Sequence, residues 1–196
     1  MNLFSHRIEL IDYLSYDEDE LLSYFKTSTF ISRYSFDPPE AFLLAHIVWN
    51  DNWDNLRNYP MINNIVKQIK EYKNTIKWID LLTQAPGTTT PPHIDGGRQV
   101  ALNIPVQSEG MCGINIYKRT KNKGKPDAIG STIFDESEVE KIASINYKLP
   151  VIINTAVPHG AFNYSNFKRK ILTIGFAPNF NFRRIRELYK NDGLSR

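Results

Sequence analysis

Residues 91–106 read Pro-Pro-His-Ile-Asp-Gly-Gly-Arg-Gln-Val-Ala-Leu-Asn-Ile-Pro-Val, and they join a turn to an extended apolar run. The prolines at the start and the pair Gly96-Gly97 mark the turn, because glycine and proline are the strongest interruptions of regular structure. The following run, 98–106, has the composition that strands prefer. A turn that leads into a strand is therefore the local unit that this stretch predicts.

The same alternation of strand and turn continues on both sides of this stretch. Strand-like composition occurs in six segments: 75–83, 98–106, 112–118, 131–134, 149–154 and 168–177. Turn signals separate them at Pro86-Gly87, Gly96-Gly97, Glu109-Gly110, Lys123-Gly124 and Pro158-His159-Gly160. No long helical pattern lies between these segments, which argues against a parallel α/β fold and for a β-sandwich or barrel.

Helical patterns flank the β segment instead of interrupting it. A stripe of isoleucine and valine at 62, 65, 66 and 69 follows Pro60, so an amphipathic helix that ends near Asn74 is predicted. The acidic run 17–20 favours the start of a shorter helix, because acids suit the positive end of the helix dipole. Residues 182–190 are predicted to form a basic helix on the outside of the molecule.

The sequence therefore predicts one domain, mainly β with flanking helices, over residues 1–196. Three parts are expected in it: a helical or irregular N-terminal flank at 1–74, the β core at 75–177 and a C-terminal helix or tail at 178–196.

Composition narrows the class of protein. The 196 residues are 41% hydrophobic, which is enough for a globular core, and the net charge of +3 is mild. The basic run 119–125 contains Gly124 and is typical of a solvated loop, so no nucleic-acid partner is expected. Cys112 is the only cysteine, which excludes an intramolecular disulfide. Without a signal-peptide pattern or a run of 18 apolar residues, the chain is expected to be cytoplasmic and not to cross a membrane.

Two of the four histidines lie in turns at strand ends and are candidate metal ligands. His93 and Asp95 alternate on an extended segment, so both side chains can face one point. His159 follows 64 residues after Asp95 and must come from a different strand. Two imidazoles and one carboxylate can occupy one face of an octahedron and leave three positions open, a set typical of Fe(II). The same ligands also serve hydrolytic zinc, so the metal stays open at this point.

Arg169 favours iron chemistry over the zinc alternative. It lies ten residues after His159 in the strand-like run 168–177, where a guanidinium that faces inward can pair with a dicarboxylate at the metal. Thr173 lies on the same face of that strand and can add a hydroxyl donor. A hydrolytic zinc site has no such need for a buried arginine. The alternative interpretation is a surface charge between Lys168 and Lys170.

Residues 75–177 resemble the double-stranded β-helix, a jelly-roll and cupin-like core, of the iron(II)/2-oxoglutarate-dependent dioxygenases. The resemblance covers about half of the chain and is nearest to the aspartyl/asparaginyl β-hydroxylase and prolyl hydroxylase-like branches. It rests on ordered segments: Ala85-Pro-Gly-Thr, Pro92-His-Ile-Asp, Ala101-Leu-Asn-Ile-Pro-Val, Asn154-Thr-Ala-Val-Pro-His-Gly-Ala-Phe-Asn and Arg169.

The resemblance implies a catalytic Fe(II) at His93, Asp95 and His159, with 2-oxoglutarate and O2 as cosubstrates. Arg169 would hold the far carboxylate of 2-oxoglutarate. The expected reaction is hydroxylation of an amino-acid or protein side chain with release of succinate and CO2. The substrate would be a small molecule or a peptide, and the sequence does not indicate an oligomeric state.

Two further residues have open roles. Arg98 can reach the mouth of the barrel and bind a substrate carboxylate or the cosubstrate, although an exposed charge at the start of a strand is the favoured interpretation. Asn103 needs a partner within its apolar strand, and it either binds near the cosubstrate or ties two strands together. For the whole chain, the alternatives are a non-oxidative zinc or other metal cupin-like enzyme, and a non-catalytic β-sandwich binding module with structural histidines.

Overall fold

The structure is a computed structural model of the 196-residue chain, and it describes residues 8–10, 14–32, 41–49, 52–69, 75–121, 123–127 and 130–183. These ranges contain two α-helices, α1 (Glu18–Thr27) and α2 (Pro60–Gln68), and short 3-10 helices at Trp53–Asn58 and Glu136–Glu138. Their strands are β1 (Ile8–Leu10), β2 (Ile31–Ser32), β3 (Phe42–Val48), β4 (Ile76–Gln84), β5 (Thr88–Thr89), β6 (His93–Ile94), β7 (Val100–Gln107), β8 (Cys112–Arg119), β9 (Lys125–Pro126), β10 (Thr132–Ile133), β11 (Val139–Asn146), β12 (Val151–Asn154), β13 (His159–Asn163) and β14 (Arg169–Phe176).

The strands form two antiparallel sheets. The first has the order β1-β12-β7-β14-β4-β3-β2, and the second has the order β11-β8-β13-β6-β10-β9, with β5 paired to β13. From β11 to β14, successive strands alternate between the two sheets, as they do in a double-sheet jelly roll. This architecture confirms the predicted mainly β fold with flanking helices.

The first sheet has one face toward the helices and one toward the second sheet. Along β14, Leu172 and Ile174 join the large apolar cluster, whereas Arg169, Ile171 and Thr173 point into a cavity between the sheets. The same alternation occurs in β4 and β7, because successive side chains of a strand point to opposite faces. The functional side chains are therefore on the inner face, and the helices cover the outer face.

Both described helices contribute to that apolar cluster. In α2, Ile62, Ile65 and Val66 are buried in it, in agreement with the predicted amphipathic stripe. The regular part of α2 ends at Gln68, earlier than predicted, and residues 70–74 lie outside the described ranges. In α1, the side chain of Asp17 caps the helix by accepting a hydrogen bond from the backbone N–H of Glu20 at 3.0 Å.

The structure corrects the expectation that residues 1–74 are only helical or irregular. β3 spans Phe42–Val48 and pairs with β4 along nearly its whole length. Its sequence, FLLAHIV, is a short continuous apolar run, and such a run does not distinguish a buried strand from a buried helix by periodicity. Pairing with β4 decides between them, and no local signal carries that information.

Two strands within the core also differ from the sequence prediction. β11 is an edge strand with mostly exposed or half-buried residues, and β13 begins at His159, where the sequence indicated only a turn. The C-terminal helix predicted at 182–190 lies outside the described residues beyond residue 183. In the described part of the chain, no helix is long and apolar enough to span a membrane. The division into flank, core and tail stays a prediction.

Candidate metal centre and cosubstrate pocket

His93, Asp95 and His159 come together between the two sheets. β6 and β13 pair so that His93 lies directly opposite His159, and the centroids of their rings are 4.5 Å apart. Asp95 follows β6, and its Oδ1 lies 3.5 Å from His93 Nε2 while its Oδ2 lies 3.9 Å from His159 Nε2. One ligand atom from each side chain lies within 4.8 Å of the others. The structure thus brings the three predicted residues together.

The two imidazoles are oriented in the same way by the backbone. Nδ1 of His93 lies 2.8 Å from the carbonyl oxygen of Pro91, and Nδ1 of His159 lies 3.0 Å from that of Val157. In each case the carbonyl belongs to the residue two positions earlier. A proton on Nδ1 satisfies this contact, which leaves the lone pair of Nε2 available for a metal. The turns that precede β6 and β13 therefore set the tautomer of both histidines.

Asp95 is held by a turn that requires glycine. The backbone N–H of Asp95 donates to the carbonyl of Thr155 at 3.2 Å, and Oδ2 accepts from Arg98 Nε at 2.5 Å. A Cβ at Gly96 would lie 2.4 Å from the backbone carbon of Gly130, so no larger residue fits at this approach. The sequence Asp-Gly-Gly thus positions a carboxylate where the chain passes close to a neighbouring loop.

The donor set fits a divalent metal. His93, Asp95 and His159 are 6%, 7% and 8% exposed, respectively. A carboxylate so shielded from water favours a nearby positive charge, and two neutral imidazoles complete a set of nitrogen and oxygen donors. Both Fe(II) and zinc accept this set, so the ligands alone do not select the metal.

A small cavity of about 50 Å³ adjoins the three ligands, and we call it the inner cavity. Both sheets line it, with Asn103, Arg169 and Thr173 on the first and His93 and His159 on the second. Apolar side chains fill much of the remaining wall: Phe42, Leu82, Ala101, Ile114, Ile153, Ala161 and Ile171.

Arg169 and Arg98 are the two guanidinium groups in the described wall of the inner cavity, and Arg169 is only 2% exposed. Its Nη1 donates to Gln84 Oε1 at 3.2 Å and its Nη2 donates to the hydroxyl of Tyr147 at 2.6 Å. Its Nε is buried and has no hydrogen-bond partner among the described residues. A buried guanidinium without a carboxylate partner fits an anionic ligand, since carboxylates bind such a fork with charge-assisted hydrogen bonds. The interpretation of Arg169 as a surface charge is wrong.

Three neighbours of Arg169 form a connected polar group. Asn103 Oδ1 accepts from the hydroxyl of Thr173 at 2.7 Å, and Asn103 Nδ2 donates to the hydroxyl of Tyr147 at 3.3 Å. Asn103 thus ties β7 to β14 and also lines the inner cavity, so the structure combines the two alternatives that the sequence left open. Tyr147 was not predicted, because it follows an exposed edge strand whose pattern does not indicate a buried hydroxyl.

The environment of Arg98 differs from the one that the sequence favoured. Its side chain is 11% exposed and binds Asp95, so it is not an exposed charge at the start of a strand. The reason is the turn at Gly96-Gly97, which folds Arg98 back over Asp95. The guanidinium carbon also lies 5.8 Å from the centroid of the Trp78 ring. Arg98 therefore positions a predicted metal ligand.

No protein-family model matches the sequence, and no curated protein sequence matches it. Solved structures do match the fold. A prolyl hydroxylase from Trichoplax adhaerens, in complex with a hypoxia inducible factor peptide fragment, has a TM-score of 0.52 at 14% identity, covering 90% of this chain and 86% of that one. HygX from Streptomyces hygroscopicus, with nickel, 2-oxoglutarate and hygromycin B bound, has a TM-score of 0.55 at 8% identity, with coverages of 91% and 86%.

An oxidoreductase of the 2OG-Fe(II) oxygenase family from Burkholderia pseudomallei has a TM-score of 0.55 at 9% identity, covering 93% of this chain and 90% of that one. A prolyl-4-hydroxylase from Pseudomonas putida also matches, so the prolyl hydroxylase-like branch is represented among the similar folds. At these identities the likeness concerns the fold alone. The chain has the double-stranded β-helix fold of the iron(II)/2-oxoglutarate-dependent oxygenases.

Proposed function

We propose that the chain is an Fe(II)- and 2-oxoglutarate-dependent oxygenase that hydroxylates its substrate and releases succinate and CO2. The observation that carries the proposal is a buried arginine, without a carboxylate partner among the described residues, in the same cavity as the two histidines of the candidate metal centre. The fold supports it, because structures with this fold include HygX with nickel and 2-oxoglutarate bound and SnoN in complex with Fe3+ and alpha ketoglutarate.

In this proposal His93, Asp95 and His159 would hold Fe(II). Arg169 would hold the far carboxylate of 2-oxoglutarate, with the hydroxyl of Thr173 and the amide of Asn103 as further polar groups in the same cavity. When bound, Fe(II) and 2-oxoglutarate supply the chemistry that activates O2 and oxidises a C–H bond. The chain's part is to bind and orient these groups and to keep water out.

Several contacts serve that positioning. Pro91 and Val157 fix the imidazole tautomers through their carbonyl groups, and Arg98 holds Oδ2 of Asp95. Because Arg98 Nε donates a hydrogen bond to Oδ2, the carboxylate of Asp95 is held in one orientation without a bound metal. The apolar wall of the inner cavity excludes water, which strengthens charge interactions within it.

The proposal is tested by assaying the purified chain aerobically with Fe(II) and 2-oxoglutarate but without a prime substrate. Slow formation of succinate is the expected result, and Asp95→Ala is expected to abolish it. Absence of succinate together with tight retention of zinc would favour the non-oxidative cupin-like enzyme. Failure to bind either metal would leave the non-catalytic β-sandwich module.

The substrate of the proposed reaction is a small molecule or a peptide. Among proteins with this fold, the Trichoplax prolyl hydroxylase is in complex with a peptide, HygX has hygromycin B bound and SnoN is in complex with nogalamycin RO. Hydroxylation of an amino-acid or protein side chain is one form that the reaction can take. A cytoplasmic location stays a prediction.

A further inference from the structure

A second cavity, of about 400 Å³, adjoins the metal centre, and we call it the outer cavity. Asp95 and Arg98 form part of its wall, and it shares Arg98, Leu82 and Thr173 with the inner cavity. Its volume lies in the range of small-molecule sites. A ligand in the outer cavity therefore lies next to the group that would be reactive in the proposed function.

The outer cavity contains a carboxylate that the metal centre does not use. Asp80 is 6% exposed, and its only hydrogen-bond partner among the described residues is His46, whose Nδ1 lies 2.7 Å from Asp80 Oδ1. The two residues are direct cross-strand partners on β3 and β4. A carboxylate so shielded from water is costly unless a donor or a cation compensates it, and Oδ2 of Asp80 accepts no hydrogen bond from the described residues.

Two tryptophans form an aromatic wall beside this carboxylate. Trp49 is 46% exposed. The centroid of its ring lies 4.5 Å from the ring centroid of His46 and 6.1 Å from that of Trp78. Trp78 lies so close over Gly175 that a Cβ there would be 2.2 Å from the indole Nε1. The glycine thus makes room for an indole at the cavity wall, and the two indoles give this wall an aromatic surface beside the carboxylate of Asp80.

The charges of the outer cavity favour a cationic ligand. Two carboxylates, Asp80 and Asp95, line it, and the one guanidinium in its described wall, Arg98, is bound to Asp95. Counted together, these two carboxylates and one guanidinium sum to one negative charge. Fe(II) and 2-oxoglutarate carry opposite charges of equal size, so their binding leaves this balance unchanged. Indole faces also attract cations.

We propose that the outer cavity binds a small molecule with a protonated amine, whose ammonium group donates to Asp80 and whose body packs on Trp49 and Trp78. Binding of the amine needs neither metal nor cosubstrate. Its identification as the substrate to be oxidised rests on the proposed function, because only that function makes the neighbouring metal centre reactive.

The test measures quenching of tryptophan fluorescence by three probes of similar size: 2-phenylethylamine, 2-phenylethanol and phenylacetate. The full chain is titrated without added metal or 2-oxoglutarate. The expected result is that the amine binds at least about tenfold more tightly than the alcohol, as one charge-assisted hydrogen bond implies, and that phenylacetate binds most weakly. Equal affinity for the amine and the alcohol, or a preference for phenylacetate, would overturn the proposal.

Asp80→Asn keeps the shape of the side chain and removes its charge, so it is expected to reduce the preference for the amine to less than about twofold. Asp54→Asn is the matched control, because Asp54 has a side chain that is 83% exposed in a surface ion pair with Arg57. Retention of the amine preference in Asp80→Asn contradicts the assignment. If that variant does not fold, the ratio of the wild-type affinities for 2-phenylethylamine and 2-phenylethanol is by itself the test of the proposal.

These outcomes are independent of the oxygenase proposal. Amine binding without succinate formation would remove the oxygenase function and leave the amine site. Succinate formation without selective amine binding would remove the amine site alone.

Discussion

At the scale of single residues, Arg169 is a buried cation without a carboxylate partner among the described residues. It is buried at the start of the central strand β14 with a glutamine and a tyrosine as its polar contacts, and neither of them carries a compensating charge. A buried cation of this kind destabilises the fold unless a ligand neutralises it. The arrangement is therefore more readily understood as part of a binding site than as a contribution to stability.

Arg169→Ala is expected to weaken 2-oxoglutarate binding about 10- to 100-fold while Fe(II) binding is retained, because the charge-assisted hydrogen bonds to the far carboxylate are lost. Calorimetric titration under anaerobic conditions, with Fe(II) first and 2-oxoglutarate second, measures both affinities. Arg57→Ala is the control, since the Arg57 side chain is 82% exposed. Equal loss of iron and 2-oxoglutarate binding would indicate a folding defect and not a lost anchor.

Tyr147→Phe tests the hydroxyl that Arg169 and Asn103 share. The substitution leaves a buried guanidinium N–H without its acceptor, so the free energy of unfolding should fall by about 1–3 kcal/mol. Urea unfolding measures the change, and Tyr164→Phe is the control because Tyr164 is 52% exposed. The same loss in both variants would show that the contact at 2.6 Å contributes nothing specific.

The predictability of the site differs from residue to residue. His93, Asp95, His159 and Arg169 each stand next to a local signal, a Pro/Gly turn or an alternating strand, so their order along the chain indicated a metal centre with an anion anchor. Tyr147 has no such signal. The pair His46 and Asp80 depends on the register between β3 and β4, which is set by packing of whole strands and not by local sequence.

At the scale of elements, most strands of the predicted β core were found close to their predicted positions, whereas β3, β11 and β13 were not predicted. β4, β7, β8, β12 and β14 were all predicted within a few residues of their observed bounds. The sequence did not predict β11, because an exposed edge strand contains charged residues at positions where a central strand has apolar ones.

Helix α2 packs on the outer face of the first sheet, away from the candidate metal centre, so its contribution to stability can be measured separately. Ile65 is fully buried in the cluster on the outer face of the first sheet, so Ile65→Ala should lower the free energy of unfolding by roughly 2–5 kcal/mol. Lys67→Ala on the exposed face should change it by less than about 0.5 kcal/mol. Urea unfolding compares the two variants, and similar values would contradict the packing of α2 on the sheet.

At the scale of the whole molecule, the candidate site lies between the two sheets. The second sheet contributes His93 and His159, and the first contributes Arg169. A metal and a cosubstrate bound between the sheets would stabilise the folded state only, because the unfolded chain does not bring these residues together. Saturation at 100 times the dissociation constant adds about 2.7 kcal/mol, which corresponds to a rise in Tm of roughly 5–10 °C for a chain of this size.

Thermal unfolding with Mn(II) and 2-oxoglutarate checks this coupling, since Mn(II) accepts similar ligands. The rise in Tm with both ligands should exceed the rise with Mn(II) alone in the wild type. In Arg169→Ala, addition of 2-oxoglutarate should raise Tm little beyond its value with Mn(II) alone. An unchanged Tm in the wild type at saturating concentrations would contradict a site that lies between the sheets.

The most direct test of the metal centre is the Fe(II) content of wild-type chain and Asp95→Ala after anaerobic loading and desalting. About one Fe(II) per chain is expected for the wild type. Asp95→Ala should retain little, because it loses the one charged ligand of three, while Asp54→Ala should behave as the wild type. An unchanged iron content in Asp95→Ala would contradict the assignment of His93, Asp95 and His159 as the metal centre.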